Sequence, residues 1–415
     1  MLLTYTTMYK PTKIEAEILD SMGYAAFKLW NVANYEKRNY EELGMDKFPD
    51  WYNQIKRLKN NYFYKSLPSQ TAQEVLKVLQ GSWSSFFKLT KTGGIKNPRP
   101  PRYKQSAIQF AYLNNGFKVL DDGNIRFSIP KTLKEILLKN NGLKIQYLVF
   151  KENIFKQFSN IKQVKFTKLG SEYRISIIYE IETVEPKPDN KRYLFIDMGI
   201  NNLFTCVDAA NNRSFIVGKE YLSIQHYFNK QIAHYQSINS SQQSIKGIKY
   251  PKPSKRILDL YVKRNNKTKD YLHKVTRYIA DYCNNNDINI VVIGNITNIR
   301  KGKNLGKTNN QKLHALPFKQ MRDILKYKLE LYGITLIEQK EVYSSQCSPD
   351  SRKVSKLYAK KSNRKNRGLY VAKKNIYNAD CVGAYNIGRL AMQDNLIQKI
   401  KVPTEILSAP VKVAV

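Results

Sequence analysis

The chain has 415 residues, 42% of them hydrophobic and 12% aromatic, so it can bury sizeable cores and exceeds one ordinary domain. Its 70 Lys and Arg against 33 Asp and Glu give a formal charge of +37, which repels itself in a compact state and calls for a polyanion, nucleic acid above all. No apolar run approaches the ~20 residues that span a bilayer, and no basic amphipathic helix dominates, so no membrane partner is expected.

In chain order, MLLTYTTMYKPTK (1–13) turns polar by Thr4, which argues against a signal peptide and for a cytoplasmic protein. Residues 14–90 read as mostly helical. The clearest piece lies in SLPSQTAQEVLKVLQGSWSSFF, with Ser69 as the expected N-cap and Ala72, Leu76, Leu79, Trp83 and Phe86 on one face. KTGGIKNPRPPRYK (91–104) breaks that pattern with glycines, prolines and five basic residues. Arg99, Arg102 and Lys104 there are candidate phosphate contacts, or surface charges and nothing more. From 105 to 183 the texture is one of short strands: AIQFAYL, NIRFSI, KIQYLVF, and a hairpin interrupted at Gly170 and Ser171. VEPKPDNK (184–191) reads as a linker.

The next segment, KRYLFIDMGINNLFTCVDAANNRSFIVG (191–218), predicts a strand, a tight turn at Gly199 and two further strands. A long helical region follows, in which Ile257, Tyr261, Leu272, Val275 and Ile279 share a face interleaved with basic residues, among them Arg256, Arg264 and Lys267. INIVVIG predicts a buried strand. The loop from Ile299 to Met321 holds six Lys and Arg and no acid, with Arg300, Lys301, Lys303 and Lys312 as candidate nucleic-acid contacts. Pro317 opens a helix that Gly333 closes, ITLIE predicts a strand, and NADCVGAYNIGRL sits on a last helix. This succession of strands and helices is that of an RNase H-like α/β layer. Residues 396–415 are left as a C-terminal tail without a role, open to disorder.

Two acids stand where chemistry could sit. Asp197 ends the apolar strand Leu194–Ile196 and precedes Met198-Gly199; as a lone motif, Asp-x-Gly is equally a turn aspartate. Helical spacing groups Asp380 with Gly383, Ala384 and Ile387, the small-residue face expected to pack on the sheet. An inward carboxylate there needs a partner or a metal, although a helix N-terminal aspartate is the competing reading. Cys206, Cys283, Cys347 and Cys381 stand far apart with no CxxC, which fits reduced thiols better than disulfides or a zinc site.

Taken together, Asp197-x-Gly199-x-x-Asn202, NQKLHALPF, Tyr343-Ser344-Ser345 and Asn378-Ala-Asp380-x-x-Gly-Ala-x-Asn386-Ile resemble the TnpB family, RNA-guided nucleases of insertion sequences related to type V CRISPR effectors. The resemblance is specific from about 190 to 390. It implies an α+β multidomain protein. A helical recognition region (14–104) and a β-barrel wedge (1–13 with 105–183) would precede a RuvC-like, RNase H-like nuclease domain (190–395). It also implies three acids holding two Mg2+ ions for in-line attack on a phosphodiester, a guide RNA, and a double-stranded DNA target with a short flanking motif.

Asp197 and Asp380 match the first and third acids, but Gly294 stands where most relatives carry the second, a Glu. A subgroup of the family resembles this pattern, with the acid at the end of the neighbouring strand, and the position before Val-Tyr-Ser-Ser is Glu341. Glu338 on the same strand is the alternative, and surface charge is the bland reading for both. The four-cysteine ribbon of many relatives is also missing. Residues 351–379 instead hold ten Lys and Arg and no acid, including Arg352, Lys353, Arg364, Lys365 and Arg367, so no zinc is expected. The sequence leaves two readings: an RNA-guided DNA endonuclease of a transposable element, or a nuclease-inactive, RNA-guided repressor derived from one.

Overall fold

The computed structural model describes all residues except 94, 143, 152, 171, 297–303, 305, 367, 373–374 and 393–402. Two compact units result, Met1–Glu182 and Thr183–Val415.

The first unit opens with β1 (Leu2–Tyr9) and α1 (Lys13–Arg38). Thr12 and Glu15 form a capping box at the start of α1. Then come α2 (Trp51–Leu58), α3 (Tyr62–Lys65) and α4 (Ser69–Thr92). Ser69 is the first residue of α4 rather than its cap: extended Pro68 takes the cap position and no side chain caps the helix. The strand-rich part holds β2 (Phe110–Leu113), β3 (Phe117–Val119), β4 (Ile125–Ser128), α5 (Lys131–Asn141), β5 (Tyr147–Phe150), β6 (Ile161–Leu169) and β7 (Glu172–Glu180). The strands form two antiparallel sheets, β1-β7-β6-β2 and β3-β4-β5, so β1 closes a sheet with residues more than 160 positions away. Both sheets and the helices share one core, in which Leu29, Leu76 and Trp83 join Phe110, Tyr112, Phe127 and Phe166. Each such side chain contributes about 1.5–3 kcal/mol by leaving water.

The connector 91–104 is tied down by its backbone. Asn34 Nδ2 and Arg38 donate to Pro101 O, and Asn31 exchanges two bonds with Lys104. The side chains of Arg99, Arg102 and Lys104 remain exposed.

The second unit begins with β8 (Tyr193–Asp197), β9 (Phe204–Asp208) and β10 (Arg213–Val217), antiparallel neighbours in turn. The long helices α6 (Tyr221–Ile245) and α7 (Lys255–Asn285) follow, then β11 (Ile290–Asn295), α8 (Lys307–Ala315), α9 (Phe318–Glu330) and β12 (Thr335–Lys340). A small antiparallel sheet of β13 (Arg364–Asn366), β14 (Leu369–Ala372) and β15 (Asn375–Asn378) leads into α10 (Ala379–Ala391). The chain ends with α11 (Thr404–Ser408) and β16 (Val411–Val413). Residues 403–415 are therefore not a loose tail: β16 pairs in parallel with β10, where its alternating valines cover an open sheet edge.

The main sheet runs β12-β11-β8-β9-β10-β16, with β11 and β12 parallel to β8. Its first five strands have the order of an RNase H-like sheet. Buried on both faces, β8 and β11 read as unbroken apolar runs. Leu194, Ile196, Val291 and Ile293 point to the face covered by α7 and α9. Phe195 and Val292 point to the other, covered by α10. That alternation decides where each acid lies.

Candidate functional site

Asp197 is one residue beyond Ile196 and so lies on the α10 face, at the carboxyl end of β8. The fit against α10 is tight because the helix presents glycines there. A Cβ added at Gly383 would stand 2.6 Å from Asp197 Oδ2, and one at Gly388 would stand 2.4 Å from the Phe195 ring. Gly199 closes the following turn by donating to Asn202 O at 3.0 Å. The Asn202 side chain then donates to Asp380 Oδ2 at 2.9 Å. Asp380 itself occupies the first turn of α10, where Asn378 caps the helix by accepting from the amides of Asp380 and Cys381. Its other oxygen faces the Arg364 guanidinium at 3.5 Å.

The space above Gly294 is filled by Glu341. Gly294 pairs with Gln339 across the parallel ladder, so Gln339 and, two residues on, Glu341 share its face of the sheet. A Cβ at Gly294 would lie 1.8 Å from Glu341 Oε1 and 2.6 Å from its Cδ. Glu338 pairs with Ile293 and so points to the opposite face. There it meets Arg322 of α9 at 3.0 Å and accepts from Asn295 Nδ2 at 3.1 Å. The structure thus brings Asp197, Glu341 and Asp380 together and places Glu338 away from them.

The electrostatics match this crowding. Burial, then the charges of Glu341 and Asp380, push the Asp197 carboxyl well above the usual carboxylate range, with Arg364 pulling it partly back. Burial pushes Glu341 up to about 7. Glu341 Oε1 is sealed from solvent and has no hydrogen-bond partner among the described residues. Also among the described residues, no group of three or more His, Cys, Asp or Glu side chains is placed to hold a metal ion as it stands. The donor set nonetheless fits one. Three hard carboxylates repel one another, and one buried oxygen is left over, which is the chemistry a divalent cation such as Mg2+ satisfies.

The basic candidates divide by place. Arg256 and Lys267 are exposed on α7; Arg256 lies over the Tyr235 ring at 4.0 Å, while half-buried Arg264 donates to Asn229. Lys312 is half-buried on α8, and Arg352, Lys353 and Lys365 are exposed near the small sheet. Among the described residues, Arg364 is the one basic candidate seen against an acid of the cluster. Arg300, Lys301, Lys303 and Arg367 lie outside the described residues. Asn202 was visible as a motif position but not as the partner of Asp380, because that contact joins residues 178 positions apart. Cys347 donates to Ser355 O at 3.3 Å, and no described helix is long and apolar enough to cross a membrane.

The chain is similar to several known proteins. A family described as "Probable transposase" (OrfB_IS605) matches residues 176–300, and one described as "Cas12f1-like, TNB domain" matches 318–387. A "TnpB-like protein" from Acidianus two-tailed virus is 22% identical, covering 96% of this chain and 88% of its own length. Among solved structures, a Cas12f1–sgRNA–target DNA complex aligns over 93% of this chain and 98% of that one, at 14% identity and a TM-score of 0.37. The mini-RNA-guided endonuclease Cas_phi3 aligns over 99% and 94%, at 12% identity and a TM-score of 0.45.

Proposed function

We propose that the chain belongs to the TnpB family, which its family-model matches and its TnpB-like relative support, and that it is an RNA-guided DNA endonuclease of a transposable element. The observation that carries this reading is the Glu341 carboxylate in the space that Gly294 leaves open, beside Asp197. It answers the one feature that spoke for a dead site.

In this reading Asp197, Glu341 and Asp380 hold two Mg2+ ions, which when bound supply charge neutralisation at the attacking and leaving oxygens of the phosphodiester. The remaining work belongs to the chain. β8 and α10 fix Asp197 and Asp380 on rigid elements, and Asn202 orients Asp380 by its side-chain amide. Arg364 sits where a non-bridging phosphate oxygen could take its guanidinium from Asp380. The exposed basic residues of 91–104, of α7 and of 351–379 track the backbones of a guide RNA and its heteroduplex, leaving sequence choice to base pairing. Residues 14–104 and the strand-rich segments 1–13 and 105–183 serve as recognition and wedge regions that read a short motif flanking the target. The segment 351–379 does its work without zinc.

The test is Mg2+-dependent cleavage of a double-stranded target library by the protein co-purified with its adjacent non-coding RNA, with Asp197→Ala as control. Guided cutting lost in the control supports the reading. Guided binding without cutting by the wild type would make the protein a repressor instead.

A further inference from the structure

We infer that Asn386, backed by Arg389, is the positioning residue that anchors the turn carrying Glu341 to the helix carrying Asp380; the inference rests on reading these acids as the reacting site. Its starting point is a problem that relocation creates. An acid at position 294 would be held by its pairing with β12, one residue past the end of the ladder to β8. Glu341 has no such support. The β12 ladder ends at Lys340, and two residues past Glu341 the chain reverses at Tyr343, whose φ of 61° is the left-handed region that non-glycine residues rarely adopt. The turn's own bonds run from Gln346 N and Cys347 N to Tyr343 O, and the small-sheet region holds it through Lys360 N and Tyr370 Oη, which donate to Gln346 O; none of these ties it to the helix that carries Asp380.

Asn386 supplies the tie to α10. It is fully buried on α10 among Val382, Ala384 and Ile387, where a buried amide is costly unless its hydrogen bonds are made. They are made: Nδ2 donates to Ser344 O and to Cys347 O, each at 2.8 Å. Its Oδ1 accepts from Arg389, itself buried. The same guanidinium donates to Ser348 O, Pro349 O and Ser351 O. Carbonyls from 344 to 351 thus converge on two side chains of α10. Asp380 lies six residues up that helix from Asn386, about 9 Å along the axis. One rigid rod therefore sets the spacing of the two acids.

The experiment compares Asn386→Leu, which keeps the volume and removes the donor, and Arg389→Met with wild type in the full-length chain. Hydrogen exchange is followed by mass spectrometry, and single-turnover cutting is measured at saturating target. Loss of the two Asn386 bonds should speed amide exchange at 343–347 about tenfold or more while β8 and β11 stay protected. The cutting rate should fall about a hundredfold, with guide retention and target binding unchanged. Unchanged exchange at the turn, loss of protection through β8 and β11, or an unchanged cutting rate would each overturn the inference. A wild type that cuts nothing would overturn the functional reading, and the exchange result would then decide on the anchor by itself.

Discussion

Replacing Gly294 with alanine adds one methyl group, and the structure says where it goes. The new Cβ would lie 1.8 Å from Glu341 Oε1, 2.6 Å from Cδ and 2.9 Å from Cγ. Ordinary contact begins near ~3.4 Å, so the carboxylate must retreat by about 1.6 Å, the difference of the two. The backbone of Gly294 lies outside the left-handed region, and the displaced atoms belong to the end of a flexible side chain. The fold should therefore absorb the change, with a melting midpoint close to wild type. Catalysis should not, since a displacement of about 1 Å at a reacting group can cost about a hundredfold. The assay is single-turnover cleavage of a guided target at saturating concentration, with target binding measured alongside. Cutting within about threefold of wild type would refute the claim that this space positions Glu341, since even a small displacement costs more than that. The reciprocal exchange, Gly294→Glu with Glu341→Gly, should cut better than either single change.

Three other perturbations separate parts of the structure. Glu341→Ala should abolish cutting, whereas Glu338→Ala should lose the pair with mostly buried Arg322 and the bond from Asn295, about 1–3 kcal/mol in thermal unfolding, and keep cutting; the opposite ranking would exchange their roles. Gly388→Ala drives a Cβ to 2.4 Å from the Phe195 ring and should cost about 1–3 kcal/mol, read as a lower thermal midpoint. Lys37, buried against Pro49 O and Gln80, has its pKa lowered by burial from 10.5 to about 8. The unfolded chain therefore binds the extra proton between about pH 8 and 10.4, and stability should rise with pH across that window. Comparing urea unfolding of wild type and Lys37→Met should isolate this rise, at most about 3 kcal/mol; parallel pH profiles would exclude it.

What the sequence made legible was what depends on neighbours in the chain. β8 and β11 announce themselves as apolar runs, and Asp197 as the residue that ends one of them. The small-residue face of α10 likewise put Asp380 toward the sheet, and Gly383 indeed packs on Asp197. What stayed hidden depends on distant pairing. The segment that forms α5 reads as strand-rich because its flanks are β-like. Only its left-handed Gly142 cap and the preceding Pro130 signal a helix locally. The final strand could not be seen because it exists by pairing with β10, about 200 residues earlier. Choosing between Glu338 and Glu341 needed only the period of two along a strand, but the period chooses a face only once register is known. Register comes from Ile293 opposite Glu338, a contact no local pattern contains. Asn386 and Arg389 did leave a signal, polar residues inside an apolar helix, but their partners are carbonyls and have no sequence signature.

That distinction explains how an acid can move between strands without the sheet changing. Parallel strands in register bring their carboxyl ends to one edge, about 4.8 Å apart, and side chains of equal parity share a face. A carboxylate near Asp197 can therefore be supplied from β11 at position 294 or from the end of β12 at 341, by the same sheet. What differs is the support each needs. On β11 the acid is held by the ladder to β12 and occupies its own space. Past the end of β12 it needs an empty neighbour, which Gly294 provides, and an anchored turn, which the carbonyls of Ser344 and Cys347 find on Asn386. In the proposed reading the carboxylate that fills this space takes the place of the acid missing from β11, which is why a methyl at Gly294 is the sharpest probe of it.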